Sequence, residues 1–193
     1  MRNLRGISVR GSSLAGVRNG FIGFLEDCRG ISAVEFSLLL PLMLTLYLGS
    51  VELSTGIAAT RKVSITARTV ADLASRMTTI HNTDMSNILN ASSAVIAPYS
   101  TSNLKVTVSE LSIDSKGNAT VAWSDTLNGS AYSVGQSVPV PSALAAPNTS
   151  LIWGEVQYAY NPVFGYFLTG TLTLKDQIYM APRASGTVTR VNP

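Results

Sequence analysis

The chain has 193 residues, 46% of them hydrophobic and only 13% charged, with a formal net charge of +3. Ordinary soluble domains carry about 25% charged residues, and the length allows one domain with apolar material for a core. High apolar content and a single long uncharged run exclude a disordered, collagen-like or multi-spanning chain, and one histidine and one cysteine serve an enzyme poorly.

The positive charge is not evenly spread. Residues 1–30 hold Arg2, Arg5, Arg10, Arg18 and Arg29 against Glu26 and Asp27, whereas the rest of the chain carries nine basic and nine acidic side chains. A neutral body lacks the basic stripe that displaces counterions from nucleic acid. A basic arm left on the cytoplasmic side of a membrane fits better. Cys28, the one cysteine, lies in that arm, so residues 31–193 can form no disulfide and leave the redox compartment open. It follows Glu26-Asp27 rather than a small apolar run, which argues against a lipoprotein and leaves it incidental.

Phe36 to Val51 reads FSLLLPLMLTLYLGSV without a charge, closed by Glu35 and Glu52. Sixteen helical residues span roughly 24 Å against a hydrocarbon core of ~30 Å, and residues 31–35 supply the missing length if Glu35 is accommodated. Pro41 lies inside the run, where membrane helices tolerate it. A secretory signal peptide is disfavoured, because Tyr47-Leu48-Gly49-Ser50 is a poor cleavage site. A buried soluble helix is disfavoured because the stretch is apolar all round. A single membrane anchor remains. Local charge does not orient it: Arg18 and Arg29 precede the span, and Arg61, Lys62 and Arg68 follow it.

A carboxylate at the start of an apolar helix is costly in lipid and marks a functional position, or else a headgroup-level residue where the span begins. Here Gly30-Ile31-Ser32-Ala33-Val34-Glu35-Phe36 resembles the class III leader of type IV pilins. That resemblance implies cleavage by a prepilin peptidase between Gly30 and Ile31, with Glu35 as the fifth mature residue. Glycine lets the scissile backbone approach an enzyme closely. The new Ile31 amine would be cationic near neutral pH, and Glu35 of a neighbouring subunit would neutralise it in a filament.

The longer stretch GISAVEFSLLLPLMLTLYLGSVEL is similar to the N-terminal signature of TadE-like proteins, pseudopilins of the tight-adherence (Tad, Flp pilus) system. The matching features are Gly30, Ala33-Val34-Glu35-Phe36, Leu40-Pro41-Leu42, and Gly49 with Glu52. The resemblance implies a minor pilin needed for pilus assembly and so for adhesion. It implies an N-terminus in the cytoplasm, a body in the periplasm, and an inner-membrane location that passes to the assembled pilus. The implied partners are the prepilin peptidase, other Tad pilins and the assembly platform. An uncleaved, membrane-anchored periplasmic binding or sensor module is the alternative.

Beyond the span, Val63, Ala67, Val70, Ala74 and Met77, with Leu73 and Ile80 alongside, form a helical stripe. Arg68, Asp72 and Arg76 fall on the other side at i, i+4 spacing. The helix is predicted to run to about Ile80, and its small residues suit close packing on a sheet or a partner helix. A second helix is predicted over about 85–96, capped by Thr83 or Asp84, with Ile88, Leu89, Val95 and Ile96 on one face and Pro98 ending it.

From residue 104 the period becomes two. Leu104, Val106 and Val108 alternate, and the phase slips at Ser109-Glu110 before Leu111 and Ile113, which predicts a bulge. Asp114 to Asn118 reads as a turn, with Ala119, Val121 and Trp123 on the returning strand. Residues 127–150 read as a long surface loop. Strands from Ile152 to Tyr160 and from Thr171 to Met180 complete a sheet of three to five strands. The fold class is therefore α+β, a long N-terminal helix packed on an antiparallel sheet, and pilin-like by resemblance. Four segments are expected: a leader 1–30 that is removed, a membrane and packing helix 31–52, a helical stalk 53–98, and a β body 99–193.

Tyr158, Tyr160, Phe164, Tyr166 and Phe167 cluster around the last connection, either as a partner surface or as core with a loop folded over it. His81 sits in a polar turn with no nucleophile marked near it. Zinc spacing is absent, Gly165 to Gly170 lacks the lysine and helix of a phosphate loop, and no calcium loop pattern appears. No catalytic residue, metal or cofactor is expected, and no nucleic-acid partner.

Overall fold

A computed structural model describes residues 29–163 and 170–191. Residues 1–28, with Cys28 and most of the basic arm, and Phe164, Tyr166 and Phe167 lie outside the described residues. Two compact units divide at Leu48 and Gly49. The element order is helix α1 (Arg29–Ser75), strand β1 (Thr79–Ile80), helix α2 (Asn82–Ile96), a 3-10 turn (Thr101–Asn103), then β2 (Leu104–Ile113), β3 (Ala119–Leu127), β4 (Ser137–Val138), β5 (Ser150–Tyr160), β6 (Leu172–Met180) and β7 (Thr189–Arg190). The fold is α+β: a long apolar N-terminal helix followed by an antiparallel sheet in the order β4-β3-β2-β5-β6.

Helix α1 ends at Ser75, not near Ile80 as the apolar stripe predicts. The reason is non-local. The Ser75 carbonyl accepts from the Arg183 N–H at 2.7 Å, and Asp72 pairs with both Arg76 (2.5 Å) and Arg183 (3.0 Å). Thr79 and Ile80 instead pair in parallel with Thr189 and Arg190 of β7. Ile80 is fully buried all the same, so its apolar character is used, but from a strand. Arg190 locks this junction: its side chain, 5% exposed, bonds Asp125 at 2.8 Å and also reaches the Ile80 carbonyl and Asn82.

Helix α2 begins one turn earlier than predicted. His81, not Thr83 or Asp84, is the N-cap residue; its backbone N–H donates to Asp84 Oδ2 at 3.0 Å, and Met85 N–H donates to its carbonyl. The Asp84 carboxylate in the first turn also suits the positive end of the helix dipole. Ile88, Leu89 and Ile96 are buried as their spacing requires, and Val95 is half-buried.

The phase slip in β2 has a different origin from the one its pattern implies. Against β5, β2 keeps one unbroken register from Leu104 to Ser112. Against β3, Glu110 faces Trp123 while Leu111 faces Val121, so the extra residue is Ala122 on the neighbouring strand. In β2 the apolar residues change face. Leu104, Val106 and Val108 join a core with both helices, whereas Leu111 and Ile113 join a second core on the other side of the sheet. The bulge turns β3 in step, sending Trp123 to the first core and Val121 to the second. The segment 127–150 is correspondingly more than a surface loop: β4 pairs with β3, and Val138 and Tyr132 pack over the second core.

The first core depends on close approach of α1 to β5. A Cβ on Gly154 would lie 2.9 Å from the Ala67 carbonyl oxygen and 3.0 Å from Ala71 Cβ. The small stripe Ala67, Ala71 and Ala74, all buried, therefore sits against a strand whose facing residue is also small. Glu110 is buried in the same layer at 4% exposure. Its carboxylate accepts from Trp123 Nε1 (2.8 Å) and from the Val188 N–H (2.9 Å), tying the C-terminal segment to the sheet. Burial pushes its pKa above the usual carboxylate value, against the lowering effect of those bonds. The predicted turn is in place: Asp114 accepts from the N–H groups of Lys116 and Asn118, each at 2.8 Å, and Gly117 takes φ 85°.

Candidate functional site

Functional interest falls on α1, where sequence places the unusual residues. Among the described residues, one helix, within Ile31–Ser75, is long and apolar enough to cross a membrane, and its most apolar stretch has no buried residue. Side chains from Ile31 to Tyr47 are all exposed: Leu38 is 74% exposed, Leu46 66% and Tyr47 65%. A folded monomer in water rarely leaves a contiguous apolar surface of this size. The run accordingly suits surroundings of lipid or of neighbouring helices.

Local chemistry supports such surroundings. Pro41 is carried inside the helix, and the Thr45 hydroxyl donates to the Pro41 carbonyl at 2.8 Å. A polar side chain satisfied within its own helix needs no partner in hydrocarbon. Phe36 and Val51, at the ends of the uncharged run, are 58% and 40% exposed.

Gly30 lies in the first turn of α1, where glycine is a poor helix former. Ile31, 56% exposed, and Glu35 are four residues apart and so share one helix face. Among the described residues Glu35 is exposed, and its side chain makes neither a hydrogen bond nor an ion pair. The described structure thus offers it to whatever lies beyond the chain.

Glu52 is different, and sequence reading missed its role. It accepts from Tyr160 Oη at 2.9 Å and from the Val163 N–H at 3.1 Å. Tyr99 Oη donates to the Thr55 carbonyl one turn on, and the Tyr99 ring meets Tyr158 edge-on with centroids 5.9 Å apart. Tyr158 and Tyr160 are only 5% and 7% exposed. This corrects their reading as partner surface: as inward residues of β5 they fill the first core and hold α1 just past the uncharged run. Burial first, and the Glu52 carboxylate among lesser causes, raise the Tyr160 phenol, which keeps it a proton donor. One sequence signal was available, since no basic residue lies three or four positions from Glu52.

Among the described residues no three potential metal ligands cluster, and His81 is the N-cap residue of α2.

Comparison with known proteins bears on the same helix. No curated protein and no solved structure matches the chain. Residues 30–72 match the family of TadE-like proteins, a stretch that begins on Gly30, takes in Glu35 and Glu52, and ends on the part of α1 packed against the sheet. The one N-terminal apolar helix among the described residues accords with single-pass membrane anchoring. Over residues 30–72 the chain is therefore similar to TadE-like proteins.

Proposed function

We propose that this chain is a minor pilin or pseudopilin required for assembly of a Tad-type pilus, and so for surface attachment. A prepilin peptidase cuts between Gly30 and Ile31 on the cytoplasmic side of the inner membrane. The body lies in the periplasm, and the matured helix packs with other Tad pilins on the assembly platform. Glu35 then meets the new amine on Ile31 of a neighbouring subunit, removing two charges from an apolar interior at once. The observation that carries this reading is the TadE-like match beginning on Gly30, on a helix whose apolar side chains and Glu35 are left exposed.

Mass spectrometry of pilus-associated material tests it. The mature N-terminus should be Ile31, Gly30→Val should abolish processing, and Glu35→Gln should spare cleavage while reducing pilus assembly. Recovery of Met1 on assembled protein overturns the proposal. An uncleaved periplasmic module then becomes the better account, for which both substitutions are silent.

A further inference from the structure

The face of the sheet remote from the helices carries a second built feature. The cross-strand pairs Lys105–Gln157 and Thr107–Glu155 of β2 and β5 floor an open cleft of about 330 Å³, walled by the segment from Asn128 to Tyr132. The wall is fixed at several points. A Cβ on Gly129 would fall 2.6 Å from Thr126 Oγ1, so a larger residue there would displace the Thr126 side chain. Asn128, at φ 56°, donates from its side chain to the carbonyls of Leu104 (3.0 Å) and Thr101 (3.2 Å). Tyr132 stacks on Trp153 with centroids 5.0 Å apart, and Trp153 on Tyr179 at 5.9 Å. The Tyr132 phenol and the Glu155 carboxylate both line the cleft.

The chemistry of the lining narrows the ligand. No aliphatic side chain faces the cleft, so an apolar ligand gains little there. Glu155 opposes an anion and Lys105 opposes a cation, and no three metal ligands gather among the described residues. A peptide strand has no backbone to pair with, because β2 and β5 are each bonded on both sides. A neutral ligand dense in donors and acceptors remains. Among the described residues, neither the Lys105 ammonium nor the Gln157 amide has a protein partner, which leaves donors and an acceptor available side by side. The volume lies at the lower end for ligand pockets, enough for a small ring.

We propose that this cleft binds a neutral polyhydroxylated ring, a hexose unit, whose hydroxyls bridge Lys105, Gln157 and Glu155 beside the phenol of Tyr132. The ring comes either from a free monosaccharide or from a polysaccharide chain.

Titration of the full-length protein in lauryldimethylamine oxide, a detergent without a sugar headgroup, tests this. The probes are the methyl glycosides of glucose, galactose, mannose and N-acetylglucosamine up to 100 mM, and dextran, galactan, mannan and chitotetraose as their polymers. Indole emission reports binding, since Trp153 stacks on Tyr132. At least one probe should give a saturable change with a Kd on the order of 1–10 mM per ring. Lys105→Ala and Gln157→Ala should each weaken it about tenfold, the scale of one lost hydrogen bond, with the thermal midpoint unchanged. Equal affinity per ring for glycoside and polymer assigns the free sugar as ligand, and tighter binding of the polymer assigns the chain; either upholds the site. No saturable response to any probe, or a response that both variants leave unchanged, overturns it.

Discussion

The two ends of helix α1 are both rich in apolar residues and do opposite things with them. Between Ile31 and Tyr47 the apolar side chains are large, mostly Leu, Met, Phe and Tyr, and all are exposed. Between Ala59 and Ala74 they are small, mostly Ala and Val, and one stripe is fully buried. Size as well as apolar content separates the two. Small residues let a helix backbone come close to a sheet, as the Gly154 contact requires. Large residues cover the helix with apolar surface in every direction, which suits lipid or a crowd of other helices. One continuous helix thus serves two solvents, and the change falls near Glu52, which the core tyrosines hold.

Substitutions can break that contrast in graded steps. The largest effect is expected at the close contact: Gly154→Val forces α1 away from β5 and should cost about 3 kcal/mol of unfolding free energy, read from denaturant unfolding of the sheet. Tyr160→Phe removes the bond to Glu52 without changing ring volume and should cost about 1 kcal/mol in the same measurement. A smaller, pH-dependent effect is expected at Glu110. Burial raises its folded pKa above the unfolded value near 4.5, so the folded state holds the proton more tightly. Its stabilising share is complete below the unfolded value and is lost as pH rises through the folded value. Glu110→Gln should therefore flatten the fall in stability above about pH 4.5; parallel curves for the two proteins contradict that assignment. Leu39→Ala, at a side chain 54% exposed, should change unfolding of the sheet by less than about 0.5 kcal/mol. Its effect should appear instead in partition of the protein into vesicles. A large loss of sheet stability at Leu39 would erase the distinction between the two ends.

Most of the architecture was legible because it rests on local patterning. The uncharged run, the helical stripe, the period-two strands and the Asp114 turn are each readable within a dozen residues. Three features were not. Ile80 reads as helix because its spacing is right, yet β7, more than a hundred residues away, captures it as a strand. The slip at Ser109-Glu110 does mark a bulge, between Glu110 and Leu111 in the ladder with β3, yet its extra residue is Ala122 on β3 and β2 is regular against β5. A single alternating pattern carries no label for which side of the sheet is buried, so a sheet with cores on both faces mimics a defect. Tyr158 and Tyr160 read as surface or as core, and the contacts with Glu52 and Tyr99 place them inside.

For the candidate site the division follows the same physics. By itself the sequence determined where the lipid-suited run lies, that Gly30 and Glu35 open it, and that the resemblance is to TadE-like proteins, since these depend on residues adjacent in the chain. Tertiary structure alone decided where α1 stops, which tyrosines hold it, and that residues from β2, β5 and the 128–132 segment meet in one cleft. Those depend on pairings across tens of residues, where hydrogen bonds and close packing outweigh the modest free energies of local propensity.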